Sequence, residues 1–317
     1  MENQARRLAA MDIGSNSVRL MIAELSADGT LMPLRKELVT TRIYEGLART
    51  GKLSAVAVER TLAAINILKD KAREAGADSL YCFATAAVRE AKNRDEFLQR
   101  VLKETSMTLE VLSEEAEARL GFVGIMEKGP RGALDIGGGS AEIALGQDLD
   151  VNYAVSLKLG AVRALEKYPL GDIADPLTLE AMRQWAACVF ARDGAAAREA
   201  AQRMGVSNFS GIGGTITTLA AMDLKQSKYD STRVQGYVLT RAAVEKTLQK
   251  LAALPLEKRQ QLPGLMPERA DIIIGGVVIL LEFLLFMGID QITVSDRDNL
   301  EGYLTYKLNE TGEKASS

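Results

Sequence analysis

A short motif occurs twice in this chain. Ala10-Met11-Asp12-Ile13-Gly14-Ser15-Asn16-Ser17 returns as Ala133-Leu134-Asp135-Ile136-Gly137-Gly138-Gly139-Ser140. In each copy an aspartate ends an apolar run. Small residues follow, the pattern of a strand closing on a tight turn whose backbone N–H groups can point at an anion. Self-similarity of this kind predicts two related α/β halves, each opened by a β-hairpin. The 317 residues suffice for two cores. The break Lys128-Gly129-Pro130-Arg131-Gly132 sets the boundary: residues 1–128 with a returning C-terminal helix, 298–317, form one domain, and residues 129–297 the other.

Between the two motifs the hydrophobic pattern switches period. Leu8 to Ile13, Val18 to Leu25 and Leu31 to Thr40 alternate as three strands of a meander, with Asp28-Gly29 turning the last pair. Ser54 caps an amphipathic helix that carries Val58, Leu62, Ile65 and Leu68 on one face and stops at Gly76. Strand and helix then alternate: strand 80–84, helix 95–104, strand 108–112, helix 114–127. After the second motif, strands run to about Lys158. A long Ala-rich helix is predicted from Leu177 to Met204, and the segment from Asn208 to Met222 reads as a strand entering a helix. The apolar run Ile272 to Ile289 contains Glu282 and opens on Gly275-Gly276, so it reads as a buried helix and not as a membrane span.

Composition narrows the chemistry. Histidine is absent, which excludes a histidine base and a phosphohistidine. Acid–base work therefore falls to carboxylates. Thirty-nine basic against 42 acidic residues leave a formal charge of −3, too balanced to draw the protein onto nucleic acid. Cys82 and Cys188, each flanked by apolar residues, read as small buried side chains of a reducing compartment. Arg6 and Arg7 precede an apolar run too short for a signal peptide, so a cytoplasmic protein without a membrane partner is expected.

The two turns, Gly14, Ser15, Asn16, Ser17 and Gly137, Gly138, Gly139, Ser140, are candidate phosphate cradles. A third is Gly211-Ile212-Gly213-Gly214-Thr215, where Gly213, Gly214 and Thr215 open a helix whose amides and dipole favour phosphate. Asp12 and Asp135 beside phosphates require a cation between like charges. Mg²⁺, often held by one or two carboxylates plus phosphate and water, is the expected cofactor. Arg89, expected to begin a helix after the 84–88 turn, can grip phosphate oxygens with its planar fork. Arg19, Lys158, Arg163, Lys167 and Arg269 are weaker candidates for a basic channel, and Arg19 can instead pair with a nearby acid.

These loops, in this order, resemble the exopolyphosphatase and guanosine pentaphosphate phosphohydrolase (Ppx/GppA) family. The resemblance extends to Arg42-Ile43-Tyr44-Glu45-Gly46-Leu47, the run from Ala84 to Asn93 around Arg89, Leu112-Ser113 with Glu117-Ala118-Arg119, Glu268-Arg269-Ala270-Asp271, and Ser295-Asp296 with Glu301-Gly302. It implies two actin-like (ribonuclease H-like) domains of the sugar kinase/chaperone ATPase/actin superfamily with an interdomain cleft. The form expected is a short one, without the helical C-terminal domain of longer members. It also implies Mg²⁺-dependent hydrolysis of a terminal phosphoanhydride, from inorganic polyphosphate or from the 5′ end of pppGpp. Glu117 matches the family's catalytic glutamate and would orient and deprotonate water. Arg89 and Asp135 join it as catalytic candidates, and Asp12, Asp135 and Glu117 as metal ligands.

The chain departs from the family pattern in two places. Ser113 is followed by Glu114-Glu115-Ala116 where a second acid usually stands just before the catalytic one. Asn299-Leu300 precedes Glu301-Gly302 where Leu-Arg is common, with Arg297 close by. Two other readings are a non-catalytic sensor of guanosine penta- or tetraphosphate and an ATP-dependent kinase of the same superfamily. The chain does not encode its oligomeric state, and a homodimer is expected only because symmetric pairs are common.

Overall fold

A computed structural model describes residues 6–27 and 29–310. Asp28 of the expected turn and the end of the expected C-terminal segment, 311–317, lie outside the described residues. The chain divides into two units. One runs to Met126 and takes in the C-terminal helix Asn299–Glu310, and the other spans Glu127–Asp298. Glu127 is tied to the second unit: its carboxylate accepts from Ser210 Oγ at 3.0 Å and its carbonyl from Arg131 Nη1.

The first unit holds strands β1 (Arg6–Ile13), β2 (Ser17–Leu25), β3 (Leu31–Thr40), β4 (Ser79–Ala84) and β5 (Glu110–Val111) in the order β3-β2-β1-β4-β5. The second holds β6 (Pro130–Ile136), β7 (Ala141–Gln147), β8 (Asp150–Leu157), β9 (Phe209–Ile212), β10 (Val238–Thr240) and β11 (Gln291–Val294), ordered β10-β11-β9-β6-β7-β8. The internal repeat is thus a repeat of topology. In each sheet the first three strands form an antiparallel meander, and the first strand also pairs in parallel with the fourth of its unit. Both meanders shift register once, at Ile22/Ala23 and at Leu145/Gly146. Both units have the actin-like fold.

The helices follow the sequence closely where caps are strong. Ser54 accepts from Ala57 N and starts the helix Ala55–Glu74, which buries Val58, Leu62, Ile65 and Leu68. Ser113 accepts from Ala116 N and starts Glu114–Gly124, each such cap stabilising by ~1 kcal/mol. Where the sequence lacks a strong stop, the expected bounds moved. The long helix expected over 177–204 is two helices, Pro176–Asp193 and Ala195–Met204. Gly194, a poor helix former, separates them: its N–H closes the first on Phe190 O and its carbonyl accepts from Ala197 to start the second. The expected strand 108–112 is reduced to Glu110–Val111. Arg89 does not begin a helix but sits in the last turn of Ala86–Glu90. Of the two cysteines, Cys82 is buried, whereas Cys188 is exposed and not buried as expected.

The apolar run near the C-terminus forms the buried helix Ile273–Met287, with Glu282 satisfied by Arg183 Nε at 2.8 Å. Among the described residues no helix is long and apolar enough to cross a membrane. It centres a large core in the second unit, where Phe283 packs edge-on to Phe209. In the first unit the helix Asn299–Glu310 supplies Leu300, Tyr303, Leu304 and Leu308 to a core with Phe83, Leu112 and Leu120. Leu300, at the position where the family commonly carries arginine, is therefore a packing residue. Gly302 allows this helix to lie against Glu114–Gly124, since a Cβ there would fall 2.0 Å from Leu120 O. Replacing Gly302 by Ala should cost about 1–3 kcal/mol as overpacking, read as a lower urea midpoint with unchanged slope; an unchanged midpoint would contradict this packing.

Candidate active site

Both repeated turns are built by the same device. Gly14 N donates to Ser17 O and Gly137 N to Ser140 O, each at 3.0 Å, which closes the turn. The turn carbonyls are then drawn back into the protein. Ser15 O accepts from Tyr44 N, and Asn16 O from the amides of Thr41 and Arg42. The 42–47 motif is thus the support of the first turn. In the second turn Gly137 O accepts from Ala161 N, and Gly138 O from Val162 and Arg163. Arg163 Nε reaches Gly139 O at 2.6 Å. The helix Ala161–Lys167 comes this close because Gly160 has no Cβ; one would lie 2.3 Å from Gly138 O. With the carbonyls held from behind, the amides are the polar face each turn presents to an anion.

Asp12 stands opposite Arg19 in the β1/β2 register, and Arg19 Nε and Nη2 both donate to Asp12 Oδ2, at 3.0 and 2.5 Å. Asn16 is buried, and its Oδ1 and Nδ2 have no hydrogen-bond partner among the described residues. A buried amide left this way costs on the order of 1–3 kcal/mol, so it marks a place built to be completed by a ligand. Ser15 and Ser17 are buried beside it.

Glu117 occupies the first turn of Glu114–Gly124, yet it is only 6% exposed while Glu114 and Glu115 face solvent. Arg89 Nη1 donates to Glu117 Oε2 at 2.7 Å and to Leu112 O at 3.0 Å. Arg89 Nε and Nη2 are buried without partners among the described residues. Burial pushes the Glu117 carboxyl up to about 7; Arg89 opposes this, the nearby Asp12 charge adds to it, and the Thr85 hydroxyl opposes it. Thr85 was not singled out from sequence. Its signal is position: it follows the apolar run of β4 and opens Ala86–Glu90 without capping it by its side chain. Cys82, on the same strand, is raised by burial and then by Asp12, and is an inert thiol.

In the second unit Asp135 ends β6, is 9% exposed, and abuts Gly213, where a Cβ would fall 2.3 Å from its Oδ1. Gly213 and Gly214 open the helix Gly213–Asp223, Thr215 is buried, and the Arg269 guanidinium lies directly on Gly214. Arg269 is thereby placed at a helix N-terminus, where an anion would bind. Lys158 is exposed, and Lys167 lies over the rings of Tyr168 and Trp185.

Among the described residues no three His, Cys, Asp or Glu side chains gather as an all-protein metal cage. Asp12 and Asp135 each stand as a single hard-oxygen ligand beside a phosphate-type turn. That donor set fits Mg²⁺, which needs only one or two carboxylates when phosphate and water complete its shell.

Comparison with known proteins agrees with this geometry. A model of the Ppx/GppA phosphatase family matches residues 21–311. Exopolyphosphatase 2 of Mycobacterium tuberculosis is 32% identical over 313 residues, covering 93% of this chain and 97% of that protein. A bifunctional 3-dehydroquinate synthase/phosphatase of Fusobacterium nucleatum is 32% identical over 308 residues and 93% of this chain, which spans 45% of that longer protein. The Ppx/GppA enzyme of Aquifex aeolicus superposes with a TM-score of 0.76 at 30% identity, over 94% of this chain and 98% of that one. By a match of this extent, together with the paired turns and the motifs between them, the chain belongs to the Ppx/GppA phosphatase family.

Proposed function

We propose that this protein is a phosphoanhydride hydrolase that removes the terminal phosphate of inorganic polyphosphate, with the 5′-phosphate of pppGpp as the competing substrate. The observation that carries the reading is the buried Glu117 carboxylate, 2.7 Å from an arginine with N–H groups to spare, with burial pushing its carboxyl up to about 7. A carboxylate poised near neutrality is suited to take a proton from water. In the reaction water attacks the terminal phosphorus, Glu117 accepts the proton, and the bond to the bridging oxygen breaks. Orthophosphate and a chain one unit shorter leave. The spare Arg89 donors and the Asn16 amide stabilise the charge spread over the terminal phosphoryl oxygens in a loose transition state.

Mg²⁺, held by Asp12 or Asp135 with phosphate oxygens and water, supplies charge neutralisation when bound. The family membership and the relatives named exopolyphosphatase favour polyphosphate as the substrate. A cytoplasmic location fits the sequence reading, and the chemistry needs neither nucleic acid nor a membrane.

Three outcomes follow. With Mg²⁺ present, phosphate should be released from long-chain polyphosphate or pppGpp, with ATP as the comparison, and Glu117→Ala should reduce release by about 10²–10⁴-fold. Tight guanosine-nucleotide binding without release would support a sensor instead, and phosphoryl transfer from ATP to an acceptor would support a kinase. The active form of Glu117 is the ionised one, so kcat/KM should fall with an acid limb centred near pH 7; a limb near the ordinary carboxylate value would remove Glu117 from the base role. In Arg89→Ala the guanidinium that favours ionised Glu117 is gone. Its acid limb should move to higher pH while kcat drops about 10²–10³-fold, and an unshifted limb would separate Arg89 from the base.

A further inference from the structure

Away from the catalytic turn, the first unit contains a cavity of about 640 Å³. Its origin is a shortened edge strand. β5 is two residues long and pairs only with Phe83 and Ala84, so the side of β4 from Ser79 to Cys82 has no strand neighbour there. The cavity occupies that vacancy. It is walled by the helix Ala55–Glu74, by the segment leading into β5, and by the C-terminal helix.

The lining has a distinct charge. Lys69, Arg73 and Lys307 face it against a single carboxylate, Glu110. Glu110 is already engaged: its Oε2 accepts from Tyr303 Oη at 2.6 Å and pairs with Lys307 Nζ at 3.0 Å. Lys69 Nζ donates to the Thr105 carbonyl at 2.8 Å and has no carboxylate partner among the described residues. Arg73 meets only the exposed Asp70, at 3.3 Å, an i,i+3 pair that contributes little in water. The rest of the wall mixes apolar side chains and the Tyr81 ring with Thr105, Ser106 and Thr108. A volume within the range of small-molecule sites, partly apolar walls with a few polar groups, and excess positive charge describe a site for a compact anion with an apolar body.

We propose that this cavity binds a phosphorylated small molecule of mononucleotide size, with Lys69 and Arg73 taking the phosphate and Tyr81 flanking the body. The site is distinct from the catalytic one, whose turn lies at the other end of β1, but it shares β4 and β5 with it. Glu110 is two residues before Leu112, whose carbonyl holds Arg89.

Titration calorimetry of the full chain with AMP, inorganic phosphate and adenosine tests this directly. AMP contains no phosphoanhydride, so binding is read without turnover. The expected result is one AMP per chain, weaker binding of phosphate and adenosine, and affinity for AMP reduced about tenfold or more in Lys69→Glu/Arg73→Glu. Arg73→Glu alone, at an exposed position, should weaken AMP measurably should the double variant fold poorly. Asn16→Ala should bind AMP as the parent does. No AMP binding at millimolar concentration, loss of binding in Asn16→Ala and not in the cavity variants, or adenosine binding as tightly as AMP would each overturn the proposal.

Discussion

The candidate site of the first unit is organised around a single buried ion pair. Glu117 and Arg89 come from separate helices, Glu114–Gly124 and Ala86–Glu90, and meet at 2.7 Å where both side chains are largely removed from water. Burying two charges costs several kcal/mol per ion, and one salt link does not satisfy all their polar atoms. The structure leaves the imbalance on the arginine, whose Nε and Nη2 have no partners among the described residues, and the buried Asn16 amide of the first turn is left likewise. A core assembled for stability alone would have apolar residues here. Incomplete satisfaction is what a site looks like when a polyanion supplies the missing acceptors.

Duplication explains why each unit has its own cradle and why the two are not equivalent. Each unit uses the same meander and the same closing bond from the turn's first glycine to its serine carbonyl. Yet the residue opposite the aspartate differs. Arg19 faces Asp12, whereas Glu142 faces Asp135 and turns to Ser156 Oγ at 2.7 Å. The first aspartate is thus partly neutralised by a neighbour, while the second is backed by another acid.

Much of this was legible in the sequence, for reasons that can be named. The turns announced themselves because small residues after an apolar run have few other uses, and the second copy removed the ambiguity of the first. Ser54 marked a helix start because a hydroxyl before an amphipathic run satisfies an otherwise unpaired amide. Four features were hidden. The break at Gly194 was masked by strong helix formers on both sides. Cys188 has apolar neighbours but lies on the solvent side of its helix. Thr85 acts through a tertiary contact with Glu117 that no local pattern encodes. The burial of Glu117 itself was invisible from composition, since its neighbours Glu114 and Glu115 are exposed and only the helix's orientation separates them.

That orientation is set by the end of the chain. The helix Asn299–Glu310 packs on Glu114–Gly124 with Gly302 against Leu120, and is anchored by Lys36 Nζ on the buried Glu301 at 2.8 Å. Glu301 and Gly302, adjacent in sequence, therefore do different work: one fastens the helix to β3, the other lets it approach the helix that carries Glu117. The next residue, Tyr303, sets its ring tilted against Phe83 of β4 with centroids 4.4 Å apart, and Tyr303 and Lys307 line the cavity with Glu110. The same helix thus braces Glu117 on one side and walls the second pocket on the other. A ligand that shifted Lys307 or Tyr303 would act on a helix that borders both places, so the route from the cavity to the candidate base would need no long chain of intermediaries.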